Sequence, residues 1–178
     1  MTTKVIMAGF GGQGVVLIGT LFAYAGMTEG KHTTFFPSYG AEMRGGTANC
    51  SVIVSDIEVA SPVVTQPDCV VAMNVASLDK FEPIVRPGGT IFVNSSLIDR
   101  KVSRQDVKEI RIPANKIAED LGSSRAANMV MLGGLIKKTG AVSLKSAAES
   151  LGKVLSERAM ALLDVNVKAL SKGFEQVS

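Results

Sequence analysis

The chain has 178 residues, 46% of them apolar and 20% charged, the balance of a globular protein with one substantial core. Nineteen basic against sixteen acidic residues leave a net charge of +3, too small and too evenly spread for a nucleic-acid binder, and no Lys/Arg cluster with interleaved aromatics appears. The longest near-apolar run, Val15 to Met27, falls short of the roughly 20 residues a membrane span needs.

The opening segment has a glycine turn inside it and no cleavage-site pattern, so it is not expected to be a secretory leader. Cys50 and Cys69 form no C-x-x-C and have no neighbouring histidine. An iron–sulfur or zinc site within this chain is therefore not expected, and the two cysteines read as reduced thiols of a cytoplasmic protein.

Lys4–Ala8 is a short apolar run and reads as the first strand. Gly9-Phe10-Gly11-Gly12-Gln13-Gly14 follows, then a helix from Gly14 to Thr28 that is apolar on nearly every side. Gly9, Gly11 and Gly14 fit G-x-G-x-x-G in the strand-then-helix setting the motif requires. Such a turn leaves backbone N–H groups free at the positive end of a helix, and lets a ligand or another chain approach the backbone closely. A helix without a polar face must be covered on both sides. In a domain of this size the second cover is expected from another subunit, with Gly19, Ala23 and Gly26 allowing close approach.

A second strand is predicted over His32–Phe36, ended by Pro37, and a glycine-rich loop reaches Gly46. Thr47–Ser55 reads as a strand, with Ile57–Ala60 as its hairpin partner and Ser61–Pro67 as a loop. Asp68–Met73 and Thr90–Asn94 are buried strands, separated by a helix over Leu78–Val85 and the turn Arg86-Pro87-Gly88-Gly89. Lys108–Ile112 is a further strand, Asn115–Leu121 a helix with Gly122 as its C′ residue. Ala126–Thr139 is a second strongly apolar helix, and its internal Gly133-Gly134 implies close contact there. Helices starting at Ser143 and over Ser156–Ser171 complete the chain. The alternation predicts one α/β domain over residues 1–178: a three-layer sandwich on a mostly parallel sheet, with a Rossmann-like start. The glycine turn, the loop after Phe36 and Asn74 would all lie at the carboxyl ends of the strands, where such sheets bind ligands and partners.

The glycine turn invites a dinucleotide reading, which the residues oppose. A nicotinamide dinucleotide site places an acid about 20 residues past the glycines, at the end of the second strand. Here that strand ends Phe35-Phe36-Pro37-Ser38, with Glu29 before it and Glu42 well beyond it. Two readings stay open: a tight turn needed to pack the first helix, and a site for an anion or a partner. His32 reads as a strand-boundary residue rather than an acid–base group. No G-x-S-x-G marks a nucleophile. Asn94-Ser95-Ser96 reads as a turn cap, and the eight methionines as core filler.

The loop Tyr39-Gly40-Ala41-Glu42-Met43-Arg44-Gly45-Gly46 places an arginine among glycines, a way to grip a phosphate or carboxylate. Together with Gly9–Gly14, and with Asn128-Met129-Val130-Met131-Leu132-Gly133, it resembles the gamma subunit of 2-oxoacid:ferredoxin oxidoreductases, most closely the 2-oxoglutarate enzymes. Pyruvate, branched-chain and indolepyruvate enzymes are alternatives, as is a non-enzymatic nucleotide-binding module. The resemblance implies a multi-subunit enzyme that decarboxylates a 2-oxoacid on thiamine diphosphate and magnesium. Electrons leave through 4Fe-4S clusters to ferredoxin, and the acyl group ends on coenzyme A. It implies thiamine-binding alpha and beta partners and a ferredoxin-like delta subunit. This chain would hold no catalytic residue, metal or firmly bound cofactor of its own, be inactive alone, and self-associate when isolated. It has no Gly-Asp-Gly of a thiamine diphosphate motif and too few cysteines for a cluster. The residues expected to meet coenzyme A or a partner are Gly11, Gly12, Gln13, Gly14, Tyr39, Arg44 and Gly45.

Overall fold

The computed structural model describes residues 1–39 and 47–178. Its strands are β1 (Thr2–Phe10), β2 (His32–Tyr39), β3 (Thr47–Ser55), β4 (Cys69–Ala72), β5 (Thr90–Asn94) and β6 (Lys108–Ile112). Its α-helices are α1 (Val15–Thr28), α2 (Val75–Phe81), α3 (Ala114–Asp120), α4 (Ala127–Thr139), α5 (Leu144–Val154) and α6 (Leu163–Glu175). The strands form one sheet in the order β2-β3-β1-β4-β5-β6. β1, β4, β5 and β6 are paired in parallel, and β3 runs antiparallel between β1 and β2. β3 alone is reversed, so the sheet is mostly parallel, as expected.

Alternation along β1 splits the core into two layers. Val5 and Met7 join a large cluster with α1, α3, α4, α5 and α6 on the first face. Ile6 and Ala8 join a smaller one with Leu78 and Phe81 of α2 and Ile98 of the β5–β6 connection on the second. Helices thus lie on both sides, unequally.

Five sequence expectations are corrected. Ile57–Ala60 is not a strand. β3 already has β1 on one side and β2 on the other, so no open edge remains for a hairpin partner. Pro37 does not end β2, which runs on to Tyr39. β2 is an edge strand, where a residue without an N–H is tolerated. Helix α2 begins at Val75 because Asn74 caps it, and gives way at Glu82–Ile84 to a 3₁₀ turn containing Pro83. The last helix is likewise divided, a 3₁₀ stretch over Glu157–Leu162 leading into α6.

The fifth correction concerns the two apolar helices, which this chain covers by itself. α1 packs on β2 and β3 on one side and on α5 on the other, with Ile18, Leu21 and Phe22 fully buried. Burying each such side chain is worth roughly 1.5–3 kcal/mol. α4 is buried from Ala127 through Ile136, chiefly under α6 and α3. The glycines serve contacts within the chain: a Cβ on Gly133 would stand 2.0 Å from the Leu170 carbonyl oxygen, and one on Gly173 1.8 Å from that of Val130. Similarly, a Cβ on Gly19 would meet Cys50 Sγ at 2.3 Å. The hydrophobicity of these helices is therefore no reason to expect self-association.

Candidate functional site

The sheet's topology sets where a site can form. From β1 the chain crosses the first face through α1 to β2; from β4 it crosses the second face through α2 to β5. Between the carboxyl ends of β1 and β4 the connections diverge, the position where open α/β sheets take ligands. The glycine turn occupies this crevice. Gly12 (φ 97°) and Gly14 (φ 71°) both adopt the left-handed conformation that L side chains avoid. Gly14 is the N-cap residue of α1 and offers no side-chain cap.

Gln13 closes the crevice from within. Its Oε1 accepts from the Phe10 N–H at 2.7 Å and from Asn74 Nδ2 at 3.0 Å. Its Nε2 donates to the Met73 carbonyl at 3.2 Å. The amide thus ties the end of β1 to the end of β4, and Gly9 permits this, since a Cβ there would stand 2.6 Å from Oε1. Gln13 is expected to face a ligand or partner; within the chain its amide holds the turn, and the residue also lines the cleft described below. Gly11 and Gly12 are exposed, so at these two positions the surface offered outward is backbone, beside the part-exposed Phe10 ring.

A row of asparagines continues the site along the strand ends. Asn74 Oδ1 accepts from the Ser77 N–H at 2.8 Å and caps α2. Asn94, fully buried, donates to Asn115 Oδ1 at 2.8 Å. Asn128, in the first turn of α4, donates to the Gly14 carbonyl at 3.2 Å and so pins α4 to the glycine turn. Asn74 is legible by its place after a strand and Asn94 as a turn cap, whereas Asn115 carries no local signal, its contact partner lying 21 residues away.

Against this row lies an open cleft of about 210 Å³, whose lining includes Gly12, Gln13, Asn115, Ser124, Arg125 and Asn128. No carboxylate lines it, and Arg125 is its one charged group. Among the described residues Arg125 makes no salt bridge. Sequence reasoning missed Ser124 and Arg125, because nothing in their local pattern separates them from a solvated turn.

The other predicted residue group is placed in part. Tyr39 is the last residue of β2 and pairs with Ala48, while Thr47 pairs with Phe10. The two ends of the second loop therefore stand at the same sheet edge as the glycine turn. Arg44, Gly45 and the side chain of Tyr39 lie outside what is described.

Burial pushes both cysteine thiols up to about 12, so neither is a thiolate ready to attack. Among the described residues no three His, Cys, Asp or Glu side chains gather into a metal-binding group. Two cysteines, one on β3 and one on β4, are too few for the four ligands of an iron–sulfur cluster. The dinucleotide reading meets a second obstacle: the strand beside β1 is the antiparallel β3, so the end of β2 stands one strand too far away to hold a ribose.

Comparison with known proteins agrees with this geometry. The family model for pyruvate ferredoxin/flavodoxin oxidoreductase matches residues 4–176. The ketoisovalerate oxidoreductase subunit VorA of Methanothermobacter marburgensis is 39% identical over 172 residues, covering 96% of this chain and 35% of that one. The chain therefore spans about a third of that relative's length. The 2-oxoglutarate synthase subunit KorC of the same organism is 35% identical over 158 residues, covering 85% of each. A crystal structure of the keto/oxoacid ferredoxin oxidoreductase gamma subunit of Geobacter sulfurreducens superposes with a TM-score of 0.84 at 31% identity, covering 98% of this chain and 97% of that one.

Proposed function

The chain belongs to the pyruvate ferredoxin/flavodoxin oxidoreductase family, and from that premise we propose that it is the gamma-type subunit of a 2-oxoacid:ferredoxin oxidoreductase. It supports coenzyme A-dependent oxidative decarboxylation while other chains carry the thiamine diphosphate, its magnesium and the 4Fe-4S clusters. Its partners are thiamine-binding alpha and beta subunits and a ferredoxin-like delta subunit, in the cytoplasm. The preferred substrate is 2-oxoglutarate, supported by the match to KorC over 85% of each chain. The identity to VorA favours a branched-chain 2-oxoacid as the second reading.

The observation that carries the proposal is the cleft beside the glycine turn, lined by Gly12 and Arg125 among others, with no acid among its lining residues. Such a surface suits a phosphate-bearing ligand, with N–H groups and a guanidinium as donors. In this reading Gly11, Gly12 and Gly14 present backbone to coenzyme A, and Gln13 positions them. Tyr39, Arg44 and Gly45 approach from the neighbouring loop. No residue of this chain makes or breaks a bond of the oxoacid.

The test is the assembled enzyme with Arg125→Ala and, separately, Arg44→Ala, assayed for acceptor reduction with 2-oxoglutarate, 2-oxoisovalerate and pyruvate. The expected result is a KM for coenzyme A raised about tenfold, an energy of about 1.4 kcal/mol, with the KM for the oxoacid unchanged. An unchanged KM for coenzyme A with weakened assembly would assign these loops to subunit contact instead. The oxoacid giving the highest kcat/KM decides between the two substrates.

A further inference from the structure

A backbone N–H can only donate, so wherever one meets a side-chain amide it identifies the end that carries the oxygen. Four amides at the strand ends are oriented in this way. The Gln13 oxygen takes the Phe10 N–H at 2.7 Å and that of Asn74 the Ser77 N–H at 2.8 Å. The Asn128 oxygen takes the Met129 N–H at 2.9 Å and that of Asn94 the Ser96 N–H at 3.3 Å. Each nitrogen is thereby turned the other way and donates. Gln13 reaches the Met73 carbonyl, Asn74 the Gln13 oxygen, Asn128 the Gly14 carbonyl and Asn94 the Asn115 oxygen.

Asn115 differs from these four. Among the described residues no backbone N–H holds its oxygen; Asn94 does so instead, at 2.8 Å. Asn94 is fully buried and cannot exchange that partner for water. With Oδ1 committed to Asn94, the Asn115 Nδ2 points elsewhere, and among the described residues it meets no acceptor. Asn115 is half-buried and lines the cleft beside the glycine turn.

Three amides line that cleft, those of Gln13, Asn115 and Asn128, and all three oxygens are engaged by the chain itself. A ligand bringing N–H groups or positive charge finds neither an amide oxygen nor a carboxylate to receive it. A ligand bringing acceptor oxygens and negative charge finds the Arg125 guanidinium and the Asn115 amide nitrogen. We infer, on the coenzyme A reading given above, that Asn115 donates from Nδ2 to a phosphate oxygen of the ligand beside Arg125. Asn94 is the positioning residue that keeps this amide turned donor-outward.

The assembled enzyme is assayed with Asn115→Ala, Asn115→Asp and Arg125→Ala. Asn115→Asp keeps the shape of the side chain and exchanges its donor for a charged oxygen. The KM for coenzyme A is expected to rise about tenfold in Asn115→Ala and about a hundredfold in Asn115→Asp, with the KM for the oxoacid that of the parent. An unchanged KM for coenzyme A in Asn115→Asp overturns the inference. If Arg125→Ala raises it all the same, the coenzyme A reading stands and only the role of Asn115 falls. If neither variant moves it, that reading falls as well. A raised KM for 2-oxoglutarate alone would assign the donors to a carboxylate, and this too overturns the inference.

The positioning role has its own measurement. Asn94→Leu preserves volume but leaves the Asn115 amide free to turn. It is expected to raise the KM for coenzyme A about threefold in the parent and not at all in an Asn115→Ala background. An equal rise in both backgrounds overturns the role of Asn94. Side-chain amide hydrogen exchange in the unmutated chain guards against a folding artefact. The Asn94 amide is expected to exchange at least about tenfold more slowly than that of Asn115, and equal rates overturn the role as well.

Discussion

The amide of Gln13 is the lock of the glycine turn, and its removal has a calculable cost. Gln13→Ala deletes three hydrogen bonds, from Phe10 N–H, from Asn74 Nδ2 and to the Met73 carbonyl. Phe10 is part-exposed, so water replaces its partner at little cost. Asn74 is buried, and its Nδ2 loses the one acceptor it has among the described residues. Counting about 1 kcal/mol for each of the two less accessible bonds gives a loss of about 2 kcal/mol. For a chain of this size that corresponds to a fall in Tm of about 4–8 °C. Asn74→Ala removes the same 3.0 Å bond and also the cap on Ser77, worth about 1 kcal/mol, so it should cost a similar amount. Because the two variants share one bond, the double variant should cost less than their sum by about 1 kcal/mol. The assay is thermal and urea unfolding followed by circular dichroism, across the four members of the cycle. A Gln13→Ala protein melting within about 1 °C of the parent, or strict additivity in the cycle, would refute the claim that this side chain joins β1 to β4.

Gly133→Ala places a Cβ 2.0 Å from the Leu170 carbonyl and should destabilise by about 3 kcal/mol through forced separation of α4 and α6. Gly152→Ala meets nothing within 4 Å and should instead stabilise by about 0.5 kcal/mol through helix propensity; urea unfolding reads both. Cys50 and Cys69, with thiols near 12 and both buried, should resist iodoacetamide at pH 8 in the folded protein and react promptly in guanidinium, as mass spectrometry would show. Burial opposes ionisation of Glu29, but hydrogen bonds from Ser143, Ser146 and Lys31 outweigh it and bring its carboxyl from 4.5 down to about 2. Its folded value lies below the unfolded one, so its contribution is present above about pH 4.5 and is lost as pH falls toward 2. Glu29→Gln should therefore narrow the stability gap to the parent as pH drops through that window, and a gap that stays constant from pH 6 to 2 would contradict it.

Much of the site was legible because local chemistry dictates it. A strand, a turn with glycine at left-handed positions and an apolar helix read directly from Gly9 to Leu21, and the folded chain keeps them in that order. The inward role of Gln13 was not legible, since its partners Met73 and Asn74 lie 60 and 61 residues away. Arg125 was missed for the same kind of reason: it reaches the cleft because Asn128 pins the start of α4 to Gly14, a contact spanning 114 residues.

By itself the sequence determined the alternation of strands and helices, the glycine turn and the absence of a local catalytic signature, because these follow from periodicity and backbone preference at short range. Tertiary structure alone decided which strands are neighbours. The insertion of β3 between β1 and β2 denied Ile57–Ala60 a place in the sheet and moved the end of β2 away from the glycine turn. It also decided what covers the apolar helices. Hydrophobicity requires that such a surface be buried, but carries no information about the chain that buries it; here α5 and α6 of the same molecule do so.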